Sequence, residues 1–214
     1  NPYININDGK RQRIAVFADS DTQLTSDWWI NAGVRIEHVR TDAGKVQPYN
    51  DSPMMGMPNP DATAATTFNQ AKREQTDTLV DFTVAVKHRL DALQILELGI
   101  AQKNRAPNLY ERYSWGRGTM ATTMIGWFGD GNGYVGRIDL KPETAQTLSA
   151  TYQLESAHDD WQLSLSPFYT RVDDYVDAEV IGTFNRGTSP VTARNILQMT
   201  NVDATLKGID AQYN

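Results

Sequence analysis

The chain has 214 residues, of which 40% are hydrophobic, with a formal net charge of −6 and no cysteine. The acidic balance argues against a nucleic-acid partner, and the absence of cysteine excludes disulfides, thiolate metal sites and cysteine nucleophiles. No run of about 18 apolar residues occurs, which excludes a transmembrane helix. A strand of a membrane β-barrel needs apolar side chains only on its lipid face, so this composition is compatible with one.

Apolar and polar residues alternate along most of the chain, a period typical of β-strands with two different faces. In one segment, Trp28 and Val34 share a face, whereas Asn31, Arg35 and Glu37 share the opposite face. In chain order, the pattern predicts strands near residues 13–23, 28–40, 78–89, 93–103, 145–155, 161–176 and 197–213.

The predicted connections alternate in length. Residues 25–27, 90–92 and 157–159 form short turns, whereas residues 41–75, 108–143 and 181–195 form long segments. Short turns at one end and long loops at the other are typical of bacterial outer-membrane barrels. The small and charged residues of the polar face, such as Gly33 and Arg35, suit a wide aqueous lumen. A soluble β-sandwich with one wet face would also alternate, and it stays open as a binding-module alternative.

Five segments carry a family resemblance. They are residues 29–35 (WINAGVR), 99–111 (GIAQKNRAPNLYE), 140–145 (LKPETA), 168–176 (FYTRVDDYV) and 201–210 (NVDATLKGID). In this order they resemble the barrel portion of TonB-dependent receptors, and together they span most of the chain. The resemblance implies an all-β fold, namely part of a transmembrane antiparallel up-and-down β-barrel with short periplasmic turns and long extracellular loops.

The same resemblance implies a location in the outer membrane of a Gram-negative bacterium. Its function would be TonB-coupled active import, with outer-membrane lipid and the TonB complex as partners. The chain begins at Asn1 without Met or a signal peptide and ends within a predicted strand. We therefore expect residues 1–214 to be one partial barrel and an open curved sheet, with the plug domain that contacts TonB outside this chain.

A narrower resemblance concerns residues 110–116 (YERYSWG) and 127–134 (WFGDGNGY), which are similar to TonB-dependent copper receptors. It implies copper as the cargo rather than as a resident cofactor. Thioether sulfur is a soft ligand that selects Cu(I). The candidate metal ligands are the methionines of two long loops: Met54, Met55 and Met57 in the first, and Met120 and Met124 in the second. The alternative role of these residues is hydrophobic packing over the barrel mouth.

Other functions have less support in the sequence. A receptor for a ferric siderophore or another metal chelate would need an aromatic and arginine-rich surface, for which Arg105, Arg112, Tyr113 and Arg117 are candidates. Residues 131–136 match G-x-G-x-x-G but lack the strand before and the helix after that a dinucleotide site requires. No G-x-S-x-G elbow exists, so we expect no enzymatic activity and no cofactor.

Overall fold

The computed structural model describes residues 4–53, 55–118, 129–158, 160–186 and 192–214. Within these ranges it contains eight strands and two helices. In chain order they are β1 (Lys10–Gln23), β2 (Trp28–Asp42), α1 (Pro60–Gln70), β3 (Gln75–Arg89), β4 (Gln94–Arg105), α2 (Leu109–Tyr113), β5 (Gly133–Val135), β6 (Glu143–Glu155), β7 (Gln162–Arg186) and β8 (Thr192–Tyr213).

The strands form one sheet in the order β1-β2-β3-β4-β6-β7-β8-β5. The seven long strands pair antiparallel with their neighbours, whereas the short β5 pairs parallel with β8. Tight turns join β1 to β2, β3 to β4 and β6 to β7. We call this edge of the sheet the turn end, and the opposite edge, where the long connections lie, the loop end. Because β1 and β5 stand at the two ends of this order, the sheet is open, as predicted.

All seven predicted strands are confirmed, and their turn-end bounds agree within one residue. The main error concerns the predicted loop 181–195. Residues up to 186 and from 192 onward pair with each other in a hairpin that extends β7 and β8. Register shifts between Val172 and Tyr175 and between Val180 and Gly182 break the alternation there. A bulge inserts an extra residue into one strand, so a strict period of two cannot follow it.

The two faces of the sheet differ as predicted. Val34 and Ile36 are each 46% exposed and lie opposite Phe82 and Val80, so apolar side chains line one face. On the other face Glu37 is only 2% exposed. Its carboxylate forms ion pairs with Arg13 and Arg35 of the same polar face.

Buried residues concentrate at the loop end rather than on the apolar face of the sheet. The largest buried cluster brings together residues from the segment after β2, from α1 and from the segment around α2: Ala43, Val46, Ala64, Ala65, Phe68, Tyr113 and Trp115. We call α1, α2 and residues 133–140 the loop cap. A soluble sandwich would bury its apolar strand face instead, so this distribution argues against that alternative. Of the described helices, neither has the length and hydropathy needed to cross a membrane.

Candidate functional site at the loop end of the sheet

The helix α2 begins shortly after the end of β4, at a capping motif formed by two residues of the same short segment. The Asn108 side chain accepts a hydrogen bond from the Glu111 amide at 2.9 Å, and the Glu111 carboxylate accepts one from the Asn108 amide at 2.7 Å. This reciprocal capping box satisfies two amides that the first turn leaves unpaired. The preceding Pro107 is fully buried.

Arg105 connects this helix to the sheet. Its guanidinium donates to both oxygens of Glu143 at 2.6 and 2.7 Å, and to both oxygens of Glu111 at 2.9 and 3.0 Å. Glu143 also accepts from the Val176 amide at 2.8 Å. One side chain at the end of β4 therefore holds α2, β6 and β7 together. Bidentate arginine–carboxylate pairs fix geometry as well as charge.

A second arginine is buried beneath the cap. The side chain of Arg112 is 1% exposed, and it donates to the two carboxylate oxygens of Asp77 at 2.8 and 3.0 Å. It also donates to the hydroxyl of Thr41 at 3.0 Å and to the carbonyl of Leu140 at 2.9 Å. Arg112 thus joins α2 to β2, to β3 and to the segment that leads into β6.

Tyr113 completes the contact between the two helices. Its hydroxyl donates to the carbonyl of Arg73 at 2.8 Å and lies 2.9 Å from the hydroxyl of Thr41. Its ring meets Phe68 of α1 edge to face, with centroids 6.4 Å apart. Burial raises the pKa of the Tyr113 phenol, so this donor stays protonated to higher pH than an exposed tyrosine.

The segment through β5 is attached closely to α2. The amide of Gly136 donates to the carbonyl of Ser114 at 2.6 Å, and the amide of Arg137 donates to the carbonyl of Glu111 at 2.8 Å. A Cβ atom at Gly136 would lie 2.8 Å from the backbone of α2. Only glycine allows this approach, because a side chain would displace the helix.

A cavity of about 610 Å³ lies between α1, the segment after α2 and the end of β5. Phe68 and Trp115 provide aromatic surface, and Arg112, Arg117 and Arg137 provide the cationic groups of its lining. Its volume falls within the range of about 300–1,000 Å³ typical of small-molecule sites.

Of the predicted methionine ligands, the described Met55 and Met57 do not line this cavity. Met55 is 98% exposed with a positive φ of 50°, and Met57 is 66% exposed. Met54, Met120 and Met124 fall outside the described residues, so their geometry stays a prediction. Within the described ranges there is also no group of three or more histidine and carboxylate side chains placed to hold a metal ion.

Most of the arginine and tyrosine residues proposed for a chelate site are buried or bound to other side chains of the chain. Arg112 and Tyr113 are buried, and Arg105 is bound to two glutamates. Arg105 and Arg117 are exposed, but only Arg117, which lines the cavity, has no ion-pair partner among the described residues. Sequence reasoning missed Asp77, since nothing local relates it to an arginine 35 positions away.

The whole chain, residues 1–214, matches the family model described as "TonB dependent receptor-like, beta-barrel". The chain belongs to this family. Members are transporters of the Gram-negative outer membrane, so the expected fold class, location and lack of enzymatic activity are confirmed. No curated protein matches.

Solved structures of a transporter and of two receptors share the fold. The chain is 22% identical to the copper transporter OprC, with a TM-score of 0.62, over 96% of this chain and 26% of that one. It is 15% identical to the hemophore receptor HasR of Serratia marcescens (TM-score 0.66, 96% and 32% covered). It is also 15% identical to the ferric-catecholate import receptor Fiu of E. coli K12 (TM-score 0.56, 96% and 25% covered). The chain therefore spans about a quarter to a third of the receptors it resembles.

Proposed function

We propose that this chain forms part of the barrel wall and outer gate of a receptor that imports copper across the outer membrane. Membership of the TonB-dependent receptor family supports active import, and the likeness to the copper transporter OprC is in keeping with this cargo. In this proposal residues 1–214 form one part of a larger barrel. A plug domain outside this chain contacts the TonB complex, and outer-membrane lipid surrounds the apolar face.

The observation that carries copper as the cargo is the methionine loop, residues 51–58. If the methionines packed over the barrel mouth, they would be buried, yet Met55 is almost fully exposed and Met57 mostly so. The side chain of Asn59 donates to the carbonyl of Ser52 at 3.3 Å, which closes the loop at its base. Thioethers select Cu(I), and the loop carries three of them within four positions of the sequence.

Import of a ferric siderophore or another chelate is the second candidate. Its support is weaker, because three of the four side chains that would form an open chelate surface already have partners in the fold.

We extend the copper proposal to Met120 and Met124, which lie in the next long connection and would add thioethers along the entry route.

The test changes Met54, Met55 and Met57 together to Leu in the full receptor. We expect lower copper uptake by cells and weaker Cu(I) binding by the purified receptor under reducing conditions, with normal assembly. The Leu exchange nearly conserves volume and should cost less than about 1.5 kcal/mol in packing. Thioethers do not titrate, so Cu(I) binding by the unmodified receptor should be almost constant from pH 5.5 to 7.5, unlike a histidine site.

The matched control is Met199→Leu, because Met199 is 4% exposed in a buried cluster with Tyr134 and Leu140. It makes the same chemical change away from the loop and should leave copper uptake unchanged. Equal copper uptake and Cu(I) affinity in the triple variant and the unmodified receptor would contradict the role of the methionine loop.

A further inference from the structure

The cavity of the loop cap combines apolar walls with an excess of positive charge. Its described lining contains three arginines and neither aspartate nor glutamate. Arg112 is neutralised by Asp77, and Arg137 pairs with Asp139 at 2.9 Å. Among the described residues Arg117 has no ion-pair partner. A cavity with this lining attracts an anion.

The walls of the cavity also contain polar atoms that lack hydrogen bonds. Arg112 Nε and Ser114 Oγ are buried and have no partner among the described residues. Leaving such groups unpaired costs about 1–3 kcal/mol each, so in native proteins an orphaned buried polar group calls for an explanation. Ser114 is part of the lining of the cavity, so a ligand in the cavity is the candidate partner of its hydroxyl.

We propose that this cavity binds a small organic anion, namely a carboxylate attached to a flat apolar body. The apolar body lies against Phe68, Trp115 and Ile138. The carboxylate pairs with Arg117 at the mouth and accepts a hydrogen bond from the hydroxyl of Ser114. The site is separate from the methionine loop and does not depend on copper as the cargo.

The experiment measures binding of three aryl carboxylates, benzoate, 2-naphthoate and biphenyl-4-carboxylate, to the purified full receptor by titration calorimetry. We expect at least one to bind saturably at one site per receptor, and its neutral carboxamide to bind at least tenfold more weakly. Arg117→Gln should weaken carboxylate binding about tenfold, because a charge-assisted contact is lost. Ser114→Ala should weaken it severalfold.

Two further variants locate the site. Thr67 is exposed on α1 and lines the cavity, so Thr67→Trp fills the cavity without changing the buried core and should abolish binding. Arg40→Gln removes an exposed arginine that pairs with Glu74 outside the cavity, and it should leave binding unchanged.

Several results would overturn the proposal. The first is that none of the three acids binds the folded receptor, which would also be the outcome if a plug segment fills the cavity. The second is equal affinity for the acid and its amide. The third is unchanged binding in Thr67→Trp. The methionine triple variant should still bind the carboxylate with unchanged affinity. Loss of copper uptake and loss of carboxylate binding are therefore separate outcomes, and either proposal can fail alone.

Discussion

Removing the carboxylate of Asp77 should detach α2 from the sheet. The change Asp77→Ala leaves the guanidinium of Arg112, which is 1% exposed, without its acid partner at 2.8 and 3.0 Å. Breaking a buried pair by removing one partner costs about 3–5 kcal/mol, since the remaining charge stays buried and uncompensated. Because the lost contacts join α2 to β3, the cost should appear first as local opening of the loop cap.

The same substitution at an exposed pair provides the control. Arg137 and Asp139 are 2.9 Å apart, a similar distance, but their side chains are 43% and 74% exposed. Exposed pairs contribute about 0–1 kcal/mol, so Asp139→Ala should have little effect on the cap. A double variant, Asp77→Leu with Arg112→Met, replaces the buried pair by apolar groups and should recover most of the loss.

Hydrogen–deuterium exchange of the full receptor in detergent micelles measures local opening directly. In Asp77→Ala, protection of the Arg112 and Ser114 amides, which donate to the carbonyls of Asn108 and Tyr110, should fall by a factor of about 10²–10⁴, which corresponds to the expected 3–5 kcal/mol. The amides of the long strands should keep their protection. The reasoning is refuted if Asp77→Ala and Asp139→Ala lower α2 protection equally, or if the double variant is less protected than Asp77→Ala alone.

Two further predictions concern the strand faces and the β5 segment. Val34→Arg places a charge on the apolar face and should lower the free energy of unfolding in lipid vesicles by about 2–4 kcal/mol. The control Val34→Leu should have little effect on this free energy. Equal stabilities of the two variants would contradict the assignment of this face to lipid. Burial and the hydrogen bond to Asp130 raise the pKa of Tyr134 to about 12. The folded state therefore holds this proton more tightly than the unfolded chain, and the stability it adds is complete below about pH 10 and lost as the pH rises through about 12. The measurement is the phenolate absorbance at 295 nm as a function of pH. In Tyr134→Phe, one tyrosine that titrates near pH 12 should be missing from this curve. If the missing tyrosine instead titrates near pH 10, the predicted pKa shift is contradicted.

The strands were predictable because one simple cause acts along their whole length. Each long strand separates an apolar face from a polar one, and the pleat turns that separation into a period of two. The predicted strand ends at Val176, between the two register shifts that change the period in β7. Asp174, with φ of 56°, sits at the first bulge of β7, and the acidic residues around it resemble a solvated loop more than a strand.

The helices of the loop cap were predictable only in part. Asn108 and Glu111 form a capping box that can be read from their spacing, and Asn59 followed by Pro60 is a start signal for α1. The body of α1 gives little support, since its threonines are weak helix formers. Its stability comes from Phe68 and the alanines packed against Tyr113, and this tertiary contact has no local signature.

Asn59 links the proposed copper ligands to the rigid part of the cap. Its side-chain oxygen accepts from the Asp61 amide at 3.0 Å and so begins α1, while its side-chain nitrogen donates to Ser52 and closes the methionine loop. The loop is therefore fixed at one end to a helix whose core contact, Tyr113, is adjacent to the buried Arg112. If Met55 and Met57 bind Cu(I) as proposed, holding the loop at its base lowers the conformational entropy lost on binding, and we predict that the arginine network that holds the cap strengthens copper binding. Copper affinity and cap stability should accordingly be coupled, although no residue of the network contacts the metal in this proposal.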